Sequence, residues 1–283
     1  MAIAAGGAGA AAWAGSDPQP VLIPDAHWYD HTDTASGRQW RISVWRPLAF
    51  DAKEPSPVFY VLDGDACFTL AAQLARNAAR RPAHARRRVP IVVGIDQTPG
   101  DAARQLREKD YTPPGAAAMR RFMAAELIPA LAQRLPIDRG QQALFGHSYA
   151  GLFALQVLLA QPDLFSHYLV ASPSLWWNQG WLPREAPALL SSIALSSPTH
   201  VQLYVGSEEQ ASAGAQPERA AVLAERRPIA TASAFAQQLQ AVAEARRWPL
   251  QTGLTVLDGV DHGMARDRAL VEGFHRFLRA TSA

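Results

Sequence analysis

A serine, Ser148, lies at the centre of the pentapeptide GHSYA (146–150). The apolar run ALF (143–145) before it predicts a strand, and AGLFALQVLLA (150–160) predicts a helix after it. A serine between small residues at a strand-to-helix turn is typical of a nucleophile elbow, which presents the hydroxyl at the edge of a sheet. The fifth position is Ala150 rather than glycine, which is still small enough to fit. The alternative interpretation is an ordinary helix N-cap.

A serine hydroxyl needs a base within hydrogen-bond reach before it can act as a nucleophile. In this architecture the acid and then the histidine follow the serine along the chain. His262 fits, because it lies in a glycine-flanked loop between the last predicted strand and the last predicted helix. A surface-loop histidine is the alternative. His147, next to the serine, is expected to point away from the pocket.

The acid that would orient His262 is predicted just after the strand VQLYV (201–205), where two glutamates follow each other. We favour Glu209 over Glu208, although solvated surface charge is an alternative for both. Asp261 and a serine–histidine dyad without an acid stay open.

An oxyanion site requires backbone N–H donors close to the nucleophile. The N–H of Tyr149 is the first candidate, because it follows the serine at a predicted helix N-terminus. The second is the N–H of Asp65, in the sharp turn LDGDA (62–66) after an earlier strand.

The elements that would position these groups alternate along the chain. Five further short apolar runs predict buried strands, namely 58–62, 91–95, 167–171, 201–205 and 254–257, and predicted helices cover 66–79, 116–134, 149–160, 231–247 and 265–280. This alternation predicts an α/β fold with a mostly parallel central sheet. AHWYDHT and RQWRISVWRP, separated by TASG, predict an antiparallel hairpin at the sheet edge. We expect one domain over 21–283 after a flexible tail over 1–20.

Composition narrows the class of protein. With 283 residues, 48% hydrophobic and 18% charged, the chain can bury a large core. The net charge of +2 gives no reason to expect a nucleic-acid partner. The single cysteine, Cys67, excludes an intramolecular disulfide and a cysteine-based metal cluster, and no apolar run is long enough for a membrane span. We expect neither a metal nor another cofactor.

Six stretches together resemble the esterase D-like branch of the α/β-hydrolases, most closely the single-domain periplasmic ferric enterobactin (enterochelin) esterases. They are RISVWRP, VFYVLDGDACF, REKDYTP, LFGHSYAGLFAL, SPSLWW and DHG, and they span residues 38–280 in the family's order. The resemblance implies an α/β-hydrolase fold with helices on both faces of the sheet. It also implies that Ser148 and His262 cleave the trilactone ester bonds of catecholate siderophores.

A ferric or free catecholate siderophore would be the small-molecule partner. The ferric complex is anionic with aromatic faces, so its pocket should offer arginines and aromatic rings. Arg104 and Arg107 before DYTP, and Trp176 and Trp177 in SPSLWW, are the candidates. The alternative is that the tryptophans pack against the core and the arginines are solvated.

Other functions and locations stay open at this level. A general carboxylesterase or an acyltransferase of the same branch is the main alternative, because the fold alone does not choose the substrate. A binding protein without chemistry is a third class. The resemblance implies a periplasmic location, whereas the N-terminal MAIAAGGAGAAAWAG lacks the positively charged start of a secretory signal and leaves a cytoplasmic location as the alternative.

Overall fold

The structure is a computed structural model that describes residues 20–47, 54–82, 88–97, 103–210 and 217–281. Within the helices, the side chains of residues 103, 104, 219 and 220 also lie outside the description. The tail predicted over 1–20 falls outside the described residues apart from Pro20, so that boundary stays a prediction.

A single sheet of eight strands organises the described part of the chain. Its spatial order is β1-β2-β4-β3-β5-β6-β7-β8. The strands are β1 (Ala26–Thr32), β2 (Gln39–Trp45), β3 (Ser56–Leu62), β4 (Ile91–Gln97), β5 (Ile137–His147), β6 (His167–Ala171), β7 (Thr199–Gly206) and β8 (Leu250–Leu257). β1 and β2 form the predicted antiparallel edge hairpin, and every pairing from β4 to β8 is parallel. The predicted α/β class is confirmed.

Helices cover both faces of the sheet. They are α1 (Gly64–Ala79), α2 (Ala103–Tyr111), α3 (Gly115–Phe122), α4 (Ile128–Arg134), α5 (Tyr149–Ala160), α6 (Trp177–Ser192), α7 (Pro217–Arg226), α8 (Pro228–Arg246) and α9 (His262–Ala280). The predicted helix over 116–134 corresponds to α3 and α4, joined by a wider π turn at Met123–Leu127. α9 begins at His262 rather than 265, because the Asp261 carboxylate accepts from the N–H of Met264 and caps it.

Sequence patterning missed three of these helices, α2, α6 and α7. α2 is mostly charged and polar, so it carries no apolar stripe that a periodicity could reveal. α6 contains Pro183 and Pro187 and a non-helical kink at 178–180, which break the helical pattern. Arg107 of α2 and Arg226 of α7 lie near the candidate site, and Trp176 there immediately precedes α6.

The core is divided by the sheet into two layers. Along β3, Val58, Tyr60 and Leu62 pack into the layer beneath α5, while Phe59 and Val61 pack into the layer beneath α1 and α9. Such runs are apolar throughout because both faces of a parallel sheet are buried. Because β3 to β8 run parallel, their carboxyl ends lie at one edge of the sheet, and the turns that follow them meet there.

Candidate active site

Ser148 occupies the turn between β5 and α5 in a strained conformation, with φ 60° and ψ −118°. Few non-glycine residues adopt a positive φ, and such strain persists only where the surroundings hold it. The N–H of Ser148 donates to the carbonyl of Ala171 on the neighbouring strand at 3.0 Å, which fixes the turn against β6. The turn therefore presents the hydroxyl at the carboxyl edge of the sheet, as an elbow requires.

Small residues are required around this turn for a steric reason. A Cβ at Gly146 would lie 2.4 Å from the carbonyl oxygen of Ala150, well inside contact distance. Ala150 itself is fully buried, so the space accepts one methyl group. The departure from glycine at the fifth position therefore leaves the elbow intact.

A chain of hydrogen bonds joins the serine to a histidine and a carboxylate. The Nε2 atom of His262 lies 3.2 Å from the Oγ of Ser148, and its Nδ1 lies 2.6 Å from the Oε2 of Glu209. These residues are 114 and 53 positions apart along the chain, respectively. The three residues predicted from the sequence are thus brought together at one sheet edge.

Glu209 is distinguished from the other candidate acids by burial. Its carboxylate is buried and also accepts from the hydroxyl of Ser172 and from the N–H of Gly206. Burial opposes its ionisation, but the hydrogen bonds from His262, Ser172 and Gly206 outweigh that effect and lower the pKa of Glu209. Glu208 is exposed.

The turns that carry Glu209 and His262 approach closely because of a glycine. The N–H of Glu208 donates to the carbonyl of Val260 at 3.1 Å. A Cβ on Gly206 would lie only 2.1 Å from that same carbonyl oxygen, so no larger residue fits there. The third candidate acid, Asp261, is engaged as the cap of α9.

Two serines after β6, Ser172 and Ser174, were not predicted as site residues. Ser172 holds Glu209, and the Oγ of Ser174 lies 3.2 Å from the Oγ of Ser148. Ser172 also has a positive φ of 40°, which marks a constrained turn. The signal in the sequence was the SPSLWW stretch, but a serine in such a stretch has no spacing rule that would reveal its partner.

The two predicted oxyanion donors differ in their surroundings. The N–H of Tyr149 has no hydrogen-bond partner among the described residues and lies at the N-terminus of α5. The N–H of Asp65 donates to the Oδ2 of Asp96 at 3.1 Å, so it is not free to face an oxyanion. Gly64, the preceding residue on the same turn, has an N–H without a partner in the described ranges and is the better candidate.

Arg107, predicted to bind substrate, has an internal partner instead. Its Nε and Nη2 atoms each donate to one carboxylate oxygen of Asp63 at 2.7 Å, and Nη2 also lies 3.3 Å from the carbonyl of His147. Asp63 precedes Gly64 and has a left-handed φ of 53°. The planar guanidinium therefore links the turn after β3 to the peptide before Ser148, and its fork is not free for an external anion.

His147 does not point away from the site, contrary to expectation. Its Nε2 lies 2.8 Å from the carbonyl oxygen of His262, and the two rings are 4.6 Å apart. Because a carbonyl only accepts, Nε2 must carry the proton. Burial, and then the nearby His262, lower the pKa of His147 to about 3, so the ring is neutral at physiological pH.

The remaining predicted binding residues separate into different environments. Trp176 lies with its ring centroid 6.0 Å from that of Tyr149, the residue after Ser148. Trp177 packs against the hydrophobic core, with Trp181 at 6.1 Å, so it matches the core alternative. Arg104 belongs to α2, but its side chain lies outside the described residues.

Neither metal ligands nor a membrane-spanning helix is found in the described ranges. No group of three or more histidine, cysteine, aspartate or glutamate side chains there could hold a metal ion. None of the helices described is both long and apolar enough to cross a bilayer.

The sequence matches a family model described as "Putative esterase" over residues 34–248. Among curated proteins, it is 33% identical over 228 residues to a siderophore enterobactin esterase of Emericella nidulans, covering 70% of this chain and 74% of that protein. It is 31% identical over 212 residues to a siderophore triacetylfusarinine C esterase of Aspergillus fumigatus, covering 69% and 72%.

A solved structure resembles the fold over almost its whole length. The siderophore hydrolase EstA from Aspergillus nidulans superposes with a TM-score of 0.81 at 26% sequence identity, covering 95% of this chain and 99% of EstA. The relatives at both the sequence and the structural level are thus enzymes named for siderophores.

Proposed function

The chain belongs to the esterase family, and from that premise we propose that it is a serine hydrolase that cleaves the ester bonds of siderophores, with catecholate siderophores such as enterobactin as its substrates. The observation that carries the proposal is the hydrogen-bonded chain from Ser148 through His262 to Glu209, with distances of 3.2 and 2.6 Å. The relatives named for siderophore esters support the substrate class.

In the proposed first step, the Oγ of Ser148 attacks an ester carbonyl while Nε2 of His262 takes the hydroxyl proton. The ionised carboxylate of Glu209 accepts from Nδ1–H of His262, which leaves Nε2 unprotonated and ready to act as the base. As the imidazolium forms, Glu209 stabilises its charge. The protonated His262 then gives its proton to the departing alkoxide, and the acyl group stays on the serine.

In the second step, a water molecule attacks the acyl group with His262 again acting as the base, and the free serine is regenerated. Each tetrahedral intermediate carries a negative oxygen that needs preorganised donors. The N–H groups of Tyr149 and Gly64 are proposed for this role, and removing one such donor costs about 100-fold to 1000-fold in turnover in related chemistry.

Product analysis tests this proposal. Ferric enterobactin, iron-free enterobactin and a small neutral aryl ester are incubated with the enzyme and followed by mass spectrometry. We expect linear ester-cleavage products from the siderophore at a much higher kcat/KM than for the aryl ester. Comparable rates on all three substrates would leave a generic carboxylesterase, and acyl transfer to a sugar in preference to water would indicate an acyltransferase.

Replacing Arg107 with glutamine should lower turnover of the siderophore and of the neutral aryl ester by similar factors, about tenfold or more. The reason is that the change removes both contacts to Asp63 and frees the turn that carries Gly64. A group held about 1 Å from its productive position can cost a factor of this size or larger. Steady-state kinetics on both substrates, with kcat and KM separated, provide the measurement.

Arg121→Gln is the matched control for that variant. Arg121 also donates to both oxygens of a buried aspartate, Asp33, but this pair lies away from Ser148. The Arg121→Gln substitution should lower the melting temperature with little change in turnover. A loss for Arg107→Gln that is confined to the siderophore would instead restore the role in substrate binding.

Replacing His147 with leucine should reduce turnover of the aryl ester by about tenfold, because the hydrogen bond that fixes the backbone of His262 is worth on the order of 1 kcal/mol. His147→Gln keeps an N–H donor of similar reach and should recover much of the activity. Equal losses in both variants would show that ring packing, and not the donated hydrogen bond, matters at this position.

The His147→Leu substitution should also change how the free energy of unfolding depends on pH. The pKa of His147 is about 3 in the folded protein against an ordinary value of 6.5. Between these values the unfolded chain binds a proton that the folded chain does not, so the folded state loses stability as the pH falls below about 6.5. In His147→Leu this contribution disappears, and unfolding measured between pH 7 and 4 should show a shallower decline.

The periplasmic location is also a proposal, and it rests on the family resemblance alone. Osmotic-shock fractionation of the source cells with immunoblotting tests it. Recovery in the cytoplasmic fraction alone would favour the alternative.

A further inference from the structure

An arginine that the mechanism does not use, Arg226 at the end of α7, lies against Trp176 in the segment after β6. Its guanidinium carbon lies 3.6 Å from the centre of the Trp176 ring, which is close stacking for a cation–π pair. Neither the sequence motifs nor the six resembling stretches include this residue. Its contact with Trp176 places it beside the turn that follows β6.

The position of Arg226 relative to the nucleophile follows from a short series of contacts. Trp176 follows Ser174, whose N–H donates to the carbonyl of Ser148 at 3.1 Å. Trp176 also faces Tyr149, the residue after the nucleophile, with ring centroids 6.0 Å apart. Burial and then Glu108 raise the pKa of Tyr149, whereas the charge of Arg226 lowers it. Arg226 is therefore close enough to interact electrostatically with the phenol group.

The charge of Arg226 has no internal counterpart among the described residues, unlike that of Arg107. Arg107 is neutralised by a bidentate pair with Asp63, while no described carboxylate lies within salt-bridge distance of Arg226. The indole restricts the guanidinium without consuming its N–H donors. A ligand that binds there would meet an oriented cation and lose less conformational entropy than it would with a free side chain.

The chemistry of this pair matches one form of siderophore. A ferric complex of three catecholates has a net negative charge, with anionic oxygens on the edges of aromatic rings. A ferric complex of three hydroxamates is neutral, and so is the iron-free catechol form near neutral pH. Of these three forms, only the ferric catecholate complex can use both the positive charge of Arg226 and the planar surface of its guanidinium.

We propose that Arg226, held against Trp176 close to Tyr149, is the specificity residue by which the enzyme selects anionic ferric catecholate esters over neutral siderophore esters. This inference rests on the proposed function. It adds a preference for the iron-loaded substrate and assigns that preference to a residue outside the catalytic groups.

The test compares kcat/KM for ferric enterobactin, iron-free enterobactin and a neutral aryl ester in the parent, Arg226→Gln and Arg226→Lys. Arg227→Gln is the matched control, because Arg227 is the next residue and is exposed, and its substitution removes the same charge. For Arg226→Gln we expect kcat/KM for the ferric complex to fall by about tenfold to a hundredfold, mainly through KM, which is the range for a charge-assisted contact. The losses on the two neutral substrates should be much smaller.

Two further results are expected. Arg226→Lys should recover only part of the loss, because an ammonium keeps the charge but not the planar stacking group. The penalty of Arg226→Gln should shrink as salt is raised, since screening weakens a partly exposed contact.

Several outcomes would overturn the inference. Equal losses on all three substrates would make Arg226 a structural support, and a similar loss in Arg227→Gln would indicate only a general effect of surface charge. An unchanged preference in Arg226→Gln, with the parent active on the siderophore, would remove this inference and leave the proposed function standing. A parent that cleaves the aryl ester but neither form of enterobactin would remove both.

Discussion

Ser148→Ala should lower ester hydrolysis by at least about a thousandfold, for siderophore and aryl ester alike. The substitution removes the one oxygen that lies 3.2 Å from Nε2 of His262, so no covalent acyl-enzyme can form. The fold should persist, because the change removes a single hydroxyl and the turn is held by the backbone bonds of Ser148 to Ala171 and Ser174. Initial-rate assays on both substrates provide the measurement.

Binding and labelling make this result specific to the nucleophile. Ferric enterobactin should quench tryptophan fluorescence in Ser148→Ala with an affinity close to that of the parent, and a fluorophosphonate probe should label the parent but not the variant. Ser174→Ala is the matched control, since its hydroxyl lies 3.2 Å from the same oxygen but is not proposed to attack. Turnover of Ser148→Ala within tenfold of the parent would show that another group is the nucleophile.

Glu209→Gln should reduce turnover by about a hundredfold to ten-thousandfold. This is the range for a group that orients a catalytic histidine and stabilises its protonated form. Glutamine has no negative charge, and its amide can present an N–H toward Nδ1 of His262, which would favour the tautomer that carries the proton on Nε2. The Ser148 hydroxyl then loses its acceptor. Measuring kcat on the aryl ester between pH 6 and 9 is sufficient, because the lowered pKa keeps Glu209 ionised throughout.

Glu208→Gln is the matched control for that measurement. Glu208 is the adjacent residue, but it is exposed, and among the described residues its only hydrogen bond runs from its backbone N–H to the carbonyl of Val260. Its substitution should change turnover by less than about twofold, as is usual for an exposed charge. The reverse order of effects would move the acid to Glu208, and full activity in both variants would leave a serine–histidine dyad.

Much of this fold could be predicted from the sequence because its signals are local. Apolar runs such as 58–62 and 201–205 are determined by burial on both faces of a parallel sheet, and that pattern is visible one strand at a time. α2 could not be found in the same way, since a mostly charged and polar helix carries no continuous apolar stripe.

The candidate site shows the same division between local and long-range information. The sequence alone predicted Ser148 and His262 as site residues, because each lies at a strand-to-helix junction whose type can be recognised within about a dozen residues. Only the tertiary structure decided between Glu208 and Glu209, which are neighbours with the same chemistry, by burying one and exposing the other. Burial is a property of the packed chain and not of the local sequence.

Pairing partners were likewise decided by the tertiary structure. The N–H of Asp65 was expected to be free, yet the folded chain places the Asp96 carboxylate against it. Arg107 was expected to bind an anion from solution, but it forms a bidentate ion pair with Asp63, 44 residues earlier in the chain. Arg226 gave no signal in the sequence, and the folded chain stacks it on Trp176, which in turn faces Tyr149. A charged side chain binds whichever counterpart the fold brings within reach, so the sequence determines its chemistry and the packing of the chain determines its partner.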